Sequence, residues 1–261
     1  MPWVPETFSA PVLQELLDKR RRERLVAVPY FDGLLSGEPG ALLESFAGEP
    51  EIHDPIRGRV KGAQAFNAFA AHTRAWLQER NASIEDLEHV VLGGHGFEEV
   101  IVHLDGEHGR VALPFVIVAD READGRIDEL RIYYSSVPLT GRHVNRPPVL
   151  QPDPELHGSD VVGEYLGALA SGDVDAILAA FEPDGPRAQY ERWFSNGGGI
   201  PLERCRLIDD GRVCALEYNV VRWGATHLPP QAGVAVHVRG ESGKLAAARL
   251  YDDADPRLPA A

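Results

Sequence analysis

Positive charge is scarce in this sequence. Lys and Arg together number 26 against 40 Asp and Glu in 261 residues, which gives a formal net charge of −14. Nucleic-acid binding needs clustered Lys and Arg to neutralise phosphates, so this balance argues against a nucleic-acid partner. The one basic run, Lys19 to Arg22, is interpreted as the solvated face of a helix.

Cysteine is scarce as well, since Cys205 and Cys214 are the only two. They flank Asp210-Gly211, a pair typical of a hairpin turn, which would place the two thiols diagonally across the hairpin. Diagonal side chains lie roughly 7 Å apart, too far for an unstrained disulfide. The sequence therefore predicts two reduced cysteines and a cytoplasmic location.

Long apolar runs and cofactor fingerprints are missing too. The longest apolar run, Val111 to Ala119, is too short to cross a membrane, and the N-terminus has no signal-peptide pattern. No dinucleotide, phosphate-loop, zinc-protease, C-x-x-C or serine-nucleophile motif occurs. We therefore expect no membrane partner, no metal and no cofactor.

The sequence does contain a candidate domain boundary. The segment from Thr140 to His157 holds four prolines and has no apolar periodicity, a composition typical of a stiff linker. It predicts a first domain over 1–140, a linker over 141–157 and a second domain over 158–261.

The two parts on either side of this linker share a pattern. Tyr30 to Phe46 and Tyr165 to Phe181 align without a gap at an offset of 135, with seven of seventeen positions identical. Both segments begin with Tyr-x6-Gly. A second match joins Leu130 to Tyr133 (LRIY) with Ala248 to Tyr251 (ARLY). These matches predict two tandem copies of one fold; the alternative is chance similarity between amphipathic helices.

The periodicity of apolar residues predicts helices first and strands afterwards. Helices are expected over 12–36, 40–46 and 62–79, and strands over 51–56, 84–92, 98–104, 110–120 and 127–137. The second part repeats this order with a third helix reduced to about 187–194. Such an order predicts an α+β fold, with N-terminal helices packed on a curved antiparallel sheet in each domain.

Four features resemble the nuclear-transport-factor-two-like superfamily, of the SnoaL-like polyketide cyclase and ketosteroid isomerase type. They are Tyr30-x6-Gly37, the run from Leu42 to Pro55, RGRVKG before the third helix, and the last strand DELRIYYS. The resemblance covers most of 12–137 and recurs more weakly over 159–253. It implies two cone-shaped domains, each with one pocket, and it is poorly specific for activity because this fold hosts many functions.

The resemblance also implies site residues. In ketosteroid isomerase a tyrosine of the first helix donates a hydrogen bond to the developing oxyanion, and a carboxylate twenty-four positions later is the base. Tyr30 and Asp54 have that separation here. The isomerase's third group, a protonated aspartate, is absent because Val116 falls at its position. His103 is a candidate to replace it as a donor, acid or base.

Further pocket candidates are Phe69, His72 and Trp76, which are spaced along one helix, and Tyr134 on the last strand. Each candidate has an ordinary structural alternative. Asp54 could cap a turn before Pro55, Tyr30 could anchor packing, and His103 could be a solvated strand residue. Core packing is the leading interpretation of Phe69 and Trp76.

In the second part, the position twenty-four residues after Tyr165 is Gln189, not an aspartate. We therefore expect a degenerate second domain that pairs with the first as an intramolecular pseudo-dimer; a homodimer is left open. The leading functional hypothesis is a cofactor-independent acid–base enzyme, an isomerase, cyclase or epoxide-opening hydrolase. Its substrate would be an apolar polyketide, terpenoid or polyether-like intermediate. The alternative is a non-catalytic small-molecule-binding or assembly module, which predicts a pocket filled by side chains.

Overall fold

The computed structural model describes residues 30–35, 39–106, 109–158, 160–182 and 185–256. Most of the first predicted helix, over 12–36, lies outside these ranges, as do Lys19 to Arg22 and Gly37. Within the described residues, no helix is long and apolar enough to cross a membrane.

The first part of the chain places three helices on a six-stranded sheet. Its elements are α1 (Tyr30–Leu35), α2 (Pro39–Glu44), β1 (Glu51–Asp54), β2 (Gly58–Lys61), α3 (Ala63–Glu79), β3 (Ser83–Leu92), β4 (His95–Gly106), β5 (Gly109–Arg121) and β6 (Ile127–Tyr133). The strand order is β2-β1-β6-β5-β4-β3. Strand β1 runs parallel to β6, and the other pairs are antiparallel.

The short helix α4 (Val137–Thr140) follows β6. The second part also places helices before strands, but its described residues have no counterparts of β1 and β2. It comprises α5 (Asp160–Ser171), α6 (Val174–Ala180), α7 (Arg187–Trp193), β7 (Leu202–Asp209), β8 (Val213–Trp223), β9 (Thr226–Arg239) and β10 (Leu245–Tyr251). Its four strands form an antiparallel sheet in the order β10-β9-β8-β7. The predicted α+β class is confirmed.

Side chains alternate along a strand, so each sheet has two faces. In both sheets, each face carries buried residues. In β4, Val100, Val102 and Leu104 pack under the helices, whereas Phe97 faces the other sheet. Helix α3 buries its apolar stripe against the first face. The second face of each sheet forms a sheet-on-sheet core.

This sheet-on-sheet core is built from two sets of residues that are related by a constant offset in the sequence. Val90, Phe97, Val116, Val118 and Tyr133 meet Ile208, Ala215, Val234, Val236 and Tyr251, and each member of the second set lies 118 positions after its counterpart in the first. The links between helix and sheet match as well. Phe46 bridges Ile127, and Phe181 bridges Leu245. The two halves of the interface therefore present the same positions to each other, as in a two-fold contact.

The charged contacts across the interface are reciprocal. Glu217 accepts hydrogen bonds from Arg131 at 2.6 and 2.9 Å and from the Tyr133 hydroxyl at 2.7 Å. At the positions offset by 118, Glu99 accepts from Arg249 at 2.5 and 2.6 Å and from Tyr251. Both glutamates are buried. A buried carboxylate needs such partners, because desolvation without compensation costs several kcal/mol.

The segment predicted as a linker is packed against the protein. Arg146 is buried, donates to the backbone carbonyls of Ile132 and His53, and lies 4.4 Å from the Tyr133 ring centre. The backbone carbonyl of Leu150 accepts from the Asn219 amide of the second part at 3.1 Å. The segment therefore contacts both parts of the chain.

Two local predictions change. Strand β6 ends at Tyr133, not at Val137, because Ser136 precedes the short helix α4, which has a proline in its first turn. Strand β2 was not predicted. Both cysteines are free thiols, as predicted.

Candidate active site

A cavity of about 1070 Å³ opens into the first part of the chain. It lies between α1, the turn after β1, α3, β5 and α4. Its walls combine polar and apolar side chains, and the aromatic lining residues are Tyr30, Phe31, Trp76, Phe115 and Tyr134. Its size is at the upper end of the range for small-molecule sites.

Asp54 is held at the end of β1 with its carboxylate in the cavity. Its Oδ1 accepts hydrogen bonds from the backbone N–H groups of Ile56 at 2.9 Å and Arg57 at 2.7 Å. This is the turn-capping role that a residue before proline often has. Its Oδ2 accepts no hydrogen bond from the described residues, so one carboxylate oxygen remains available to take a proton.

Two tyrosines share the Asp54 end of the cavity. Burial raises the pKa of Tyr30 well above its usual range, and the charge of Asp54 raises it further. The pKa of Tyr134 is raised by the same two causes, in the same order. Both phenols therefore stay protonated at neutral pH and can donate hydrogen bonds. Tyr134 stacks on Phe115 at 4.2 Å between ring centres, which fixes its orientation.

Arg57 is a neighbour of this group that the sequence reasoning missed. Its guanidinium carbon lies 5.9 Å from the ring centre of Phe69, and its charge lowers the pKa of Tyr30 and Tyr134 in opposition to Asp54. The sequence contained a local indication of this residue. Arg57 is the third residue after Asp54 in an Asp-Pro turn, so it faces the same cavity as Asp54.

The structure brings some of the predicted site residues together. Asp54, Tyr30, His72, Trp76 and Tyr134 line the cavity. Phe69 lies on the buried side of α3 and belongs to the core. It contacts Arg57, which lines the cavity.

His103 and Val116 are not brought to the cavity. The His103 Nε2 lies 2.7 Å from Glu85 Oε2 on a partly exposed part of the sheet, and its neighbours Val102 and Leu104 occupy the helix-side face. Val116 belongs to the sheet-on-sheet core, and its neighbour Phe115 faces the cavity. A displacement of one position in a strand moves a side chain to the other face.

His53 belongs to a separate polar cluster. Potential ligand atoms of Glu51, His53 and Glu129 lie within 4.8 Å of one another. The two carboxylates already pair with cations: Glu51 with Arg59 at 2.6 Å and Lys61 at 2.7 Å, and Glu129 with Arg131 at 2.8 Å. Hydrogen bonding from Arg59 lowers the pKa of Glu51 to about 2. The existing ion pairs account for this cluster.

The corresponding interior of the second part is filled. The hydroxyl of Tyr165 lies 3.0 Å from the hydroxyl of Tyr190, and both side chains are buried. Phe181 and His237 pack edge-to-face on Tyr165, with ring centres at 5.8 and 5.3 Å. Gln189, the residue at the position of Asp54 in the sequence comparison, is exposed on α7.

Comparison with known proteins gives structural neighbours only. No family model matches the chain. No curated protein matches it either.

Three solved structures are similar to part of the chain. SalBIII, an epoxide hydrolase/cyclase-like enzyme of pyran ring formation in the polyether salinomycin, is 20% identical, with a TM-score of 0.37 over 45% of this chain and 93% of its own. Bal32a, from a soil-derived mobile gene cassette, is 19% identical, with a TM-score of 0.35 over 40% and 82%. A putative polyketide cyclase from Sinorhizobium meliloti is 26% identical, with a TM-score of 0.32 over 40% and 88%. The chain is similar to each of them over less than half of its own length.

Proposed function

We propose that this protein is a cofactor-independent acid–base enzyme whose reaction takes place at the Asp54 end of the cavity. One observation carries the proposal: a carboxylate and two phenols share an open, partly aromatic cavity of about 1070 Å³. The alternative of a non-catalytic module predicts a filled pocket, so the open cavity supports the enzyme.

Asp54 is the general base in this proposal. Its Oδ1 is held by two backbone N–H groups, which fixes the carboxylate, and its Oδ2 is left to accept a proton from the substrate. A positioned base of this kind typically contributes a factor of about 10² to 10⁴ to the rate.

Tyr30 and Tyr134 are the hydrogen-bond donors. Because burial and Asp54 hold the pKa of each phenol above its usual range, each keeps its proton and can stabilise an enolate or alkoxide as it forms. Tyr134 takes the donor role suggested for His103 by the sequence, since His103 faces away from the cavity. Isomerisation, cyclisation and epoxide opening all need this combination of base and donor.

The substrate class follows from the cavity walls. Phe31, Trp76 and Phe115 present apolar surface in a cavity that also contains polar groups such as Asp54 and Arg80. An apolar polyketide, terpenoid or polyether-like intermediate fits such a wall.

We further propose that the second domain is a degenerate copy of the first and serves as its internal partner. The reciprocal contacts of Glu217 and Glu99 at equivalent positions support a fused pseudo-dimer. Tethering raises the effective concentration of the two faces for each other. The second site is filled by Tyr165 and Tyr190, so one working site per chain is proposed.

The test uses Asp54→Asn and Tyr30→Phe in the full chain. Turnover would be measured by mass spectrometry on a panel of apolar β,γ-unsaturated ketones and epoxy alcohols. Asp124→Asn is the matched control, because Asp124 is an exposed carboxylate paired with Arg126 away from the cavity. We expect each site variant to lose at least about a hundredfold in kcat/KM while the control keeps its rate. Retention of more than about a tenth of the rate by both site variants would overturn the mechanism.

A further inference from the structure

The cavity has a second charged end. Phe69 and Trp76 lie seven positions apart on α3, so they are separated by roughly 10 Å along the helix axis. Arg57 lies over Phe69 beside Asp54, and Arg80 lies over Trp76 at the other end. Both arginines line the cavity. The cavity therefore follows α3 from the Asp54 end to an end marked by Arg80.

Arg80 has no carboxylate partner among the described residues. Its guanidinium carbon lies 4.8 Å from the centre of the Trp76 ring, and the side chain is only partly exposed. Arg110 on the same rim differs, because it donates to Asp105, to the Asn81 carbonyl and to the Ser83 hydroxyl. Asp105 is thus already paired.

The geometry of Arg80 suits an anion. Stacking on an aromatic ring uses the face of the guanidinium and holds it in place, while its N–H edges, which pair with no carboxylate of the described residues, can form a bidentate pair with a ligand carboxylate. The other acidic group on this rim, Glu79, is exposed to solvent, which screens its repulsion of an anion.

We propose that Arg80 binds a carboxylate of the substrate, and that the substrate is therefore an elongated amphipathic acid. Its carboxylate lies on Arg80, its apolar chain lies along Trp76 and Phe115, and its reacting group lies roughly 10 Å away at Asp54. This inference rests on the proposed function for the reacting end only; binding of the carboxylate is independent of catalysis.

The test compares decanoate with decanamide, which has the same chain length without the charge, by titration calorimetry on the full-length protein. We expect the wild type to prefer decanoate. Arg80→Gln should weaken decanoate binding by about tenfold or more, the size of a charge-assisted hydrogen bond, and leave decanamide unchanged. Arg80→Lys keeps the charge and should retain part of the preference. Arg126→Gln, an exposed arginine outside the cavity, is the control and should behave as the wild type.

Three outcomes would overturn the inference: equal binding of both ligands by the wild type, no binding of decanoate, or loss of the preference in Arg57→Gln but not in Arg80→Gln. A structure with decanoate should show its carboxylate within hydrogen-bond distance of the Arg80 guanidinium. Failure of the proposed function is recognised separately, because Asp54→Asn should keep the decanoate preference whatever it does to turnover.

Discussion

Both parts of this chain place helices before long antiparallel strands, but their interiors differ. In the first, Tyr30 lines an open cavity, and its hydroxyl makes no hydrogen bond to the described residues. In the second, Tyr165 stands at the matching place in the sequence, and its hydroxyl meets that of Tyr190. One interior can therefore hold a ligand, whereas in the other the tyrosine hydroxyl is paired with a neighbouring side chain.

The two interiors differ because of the helix that precedes the long strands in each part. Helix α3 has 17 residues and runs along the cavity, with Arg57 and Arg80 stacked on its aromatic residues. Helix α7 has 7 residues, and Tyr190 fills the interior beneath it. A filled interior favours stability, whereas an open cavity that contains polar groups favours catalysis. The two parts of the chain therefore divide stability and catalysis between them.

The largest effect is expected where the two sheets meet. Glu217→Gln weakens the pairing of the fully buried Arg131, which keeps Asp120 and Glu129 as partners, so we expect a loss of about 3 kcal/mol in the free energy of unfolding, measured with urea. Glu99→Gln should cost less, because its partner Arg249 is 34% exposed. Glu85→Gln, at an exposed position, is the control. Equal and small losses for Glu217 and Glu99 would contradict the account of a shared buried interface.

The next effect is a pH dependence that arises from His237 in the second part. His237 is fully buried, and burial lowers its pKa from 6.5 to about 4. The equivalent position in the first part, 118 residues earlier, is Ala119. Below pH 6.5 the unfolded chain binds a proton that the folded chain does not, so stability present above pH 6.5 is lost as the pH falls towards 4.

The loss should reach about 3 kcal/mol at most. Denaturant unfolding at several pH values would measure it. We expect His237→Leu to flatten the slope between pH 6.5 and 4, and His89→Gln, at an exposed position, to keep it. An unchanged slope in His237→Leu would show that another group is responsible.

The smallest effect concerns the tyrosine pair in the second interior. Tyr190→Phe leaves the buried Tyr165 hydroxyl without its partner and should cost about 1–3 kcal/mol. The double variant with Tyr165→Phe removes both hydroxyls and should recover most of that loss. Thermal unfolding of the two single variants and the double variant measures the coupling. Additive losses would mean that the two hydroxyls do not act as a pair.

The regular secondary structure and the residues at the Asp54 end of the cavity could be predicted from the sequence. The helix expected over 62–79 is Ala63–Glu79, because its apolar periodicity is strong and Gly62 precedes it. The separation of Tyr30 and Asp54 correctly placed both residues in one cavity. These features depend on local pattern and on spacing that the fold preserves.

Features that depend on strand register could not be predicted in the same way. Val116 and His103 were placed in the cavity, but each points to the opposite face from its cavity-side neighbours. The burial of Glu99 and Glu217 could not be predicted, because the arginines that pair with them are distant in the sequence. A signal for the interface was present, since LRIY and ARLY contain the residues Arg131, Tyr133, Arg249 and Tyr251 that bind these glutamates.

The central claim is that the first interior is the catalytic site and that the second contributes only to stability. A comparison of Tyr30→Phe with Tyr165→Phe tests this claim most directly. Turnover per folded molecule and the melting temperature would be measured for both. We expect Tyr30→Phe to lose about a hundredfold or more in kcat with little change in melting temperature, because it removes a donor to the developing oxyanion. Tyr165→Phe should lower the melting temperature and keep turnover. A loss of turnover in Tyr165→Phe as large as in Tyr30→Phe, or full turnover in Tyr30→Phe, would contradict the account.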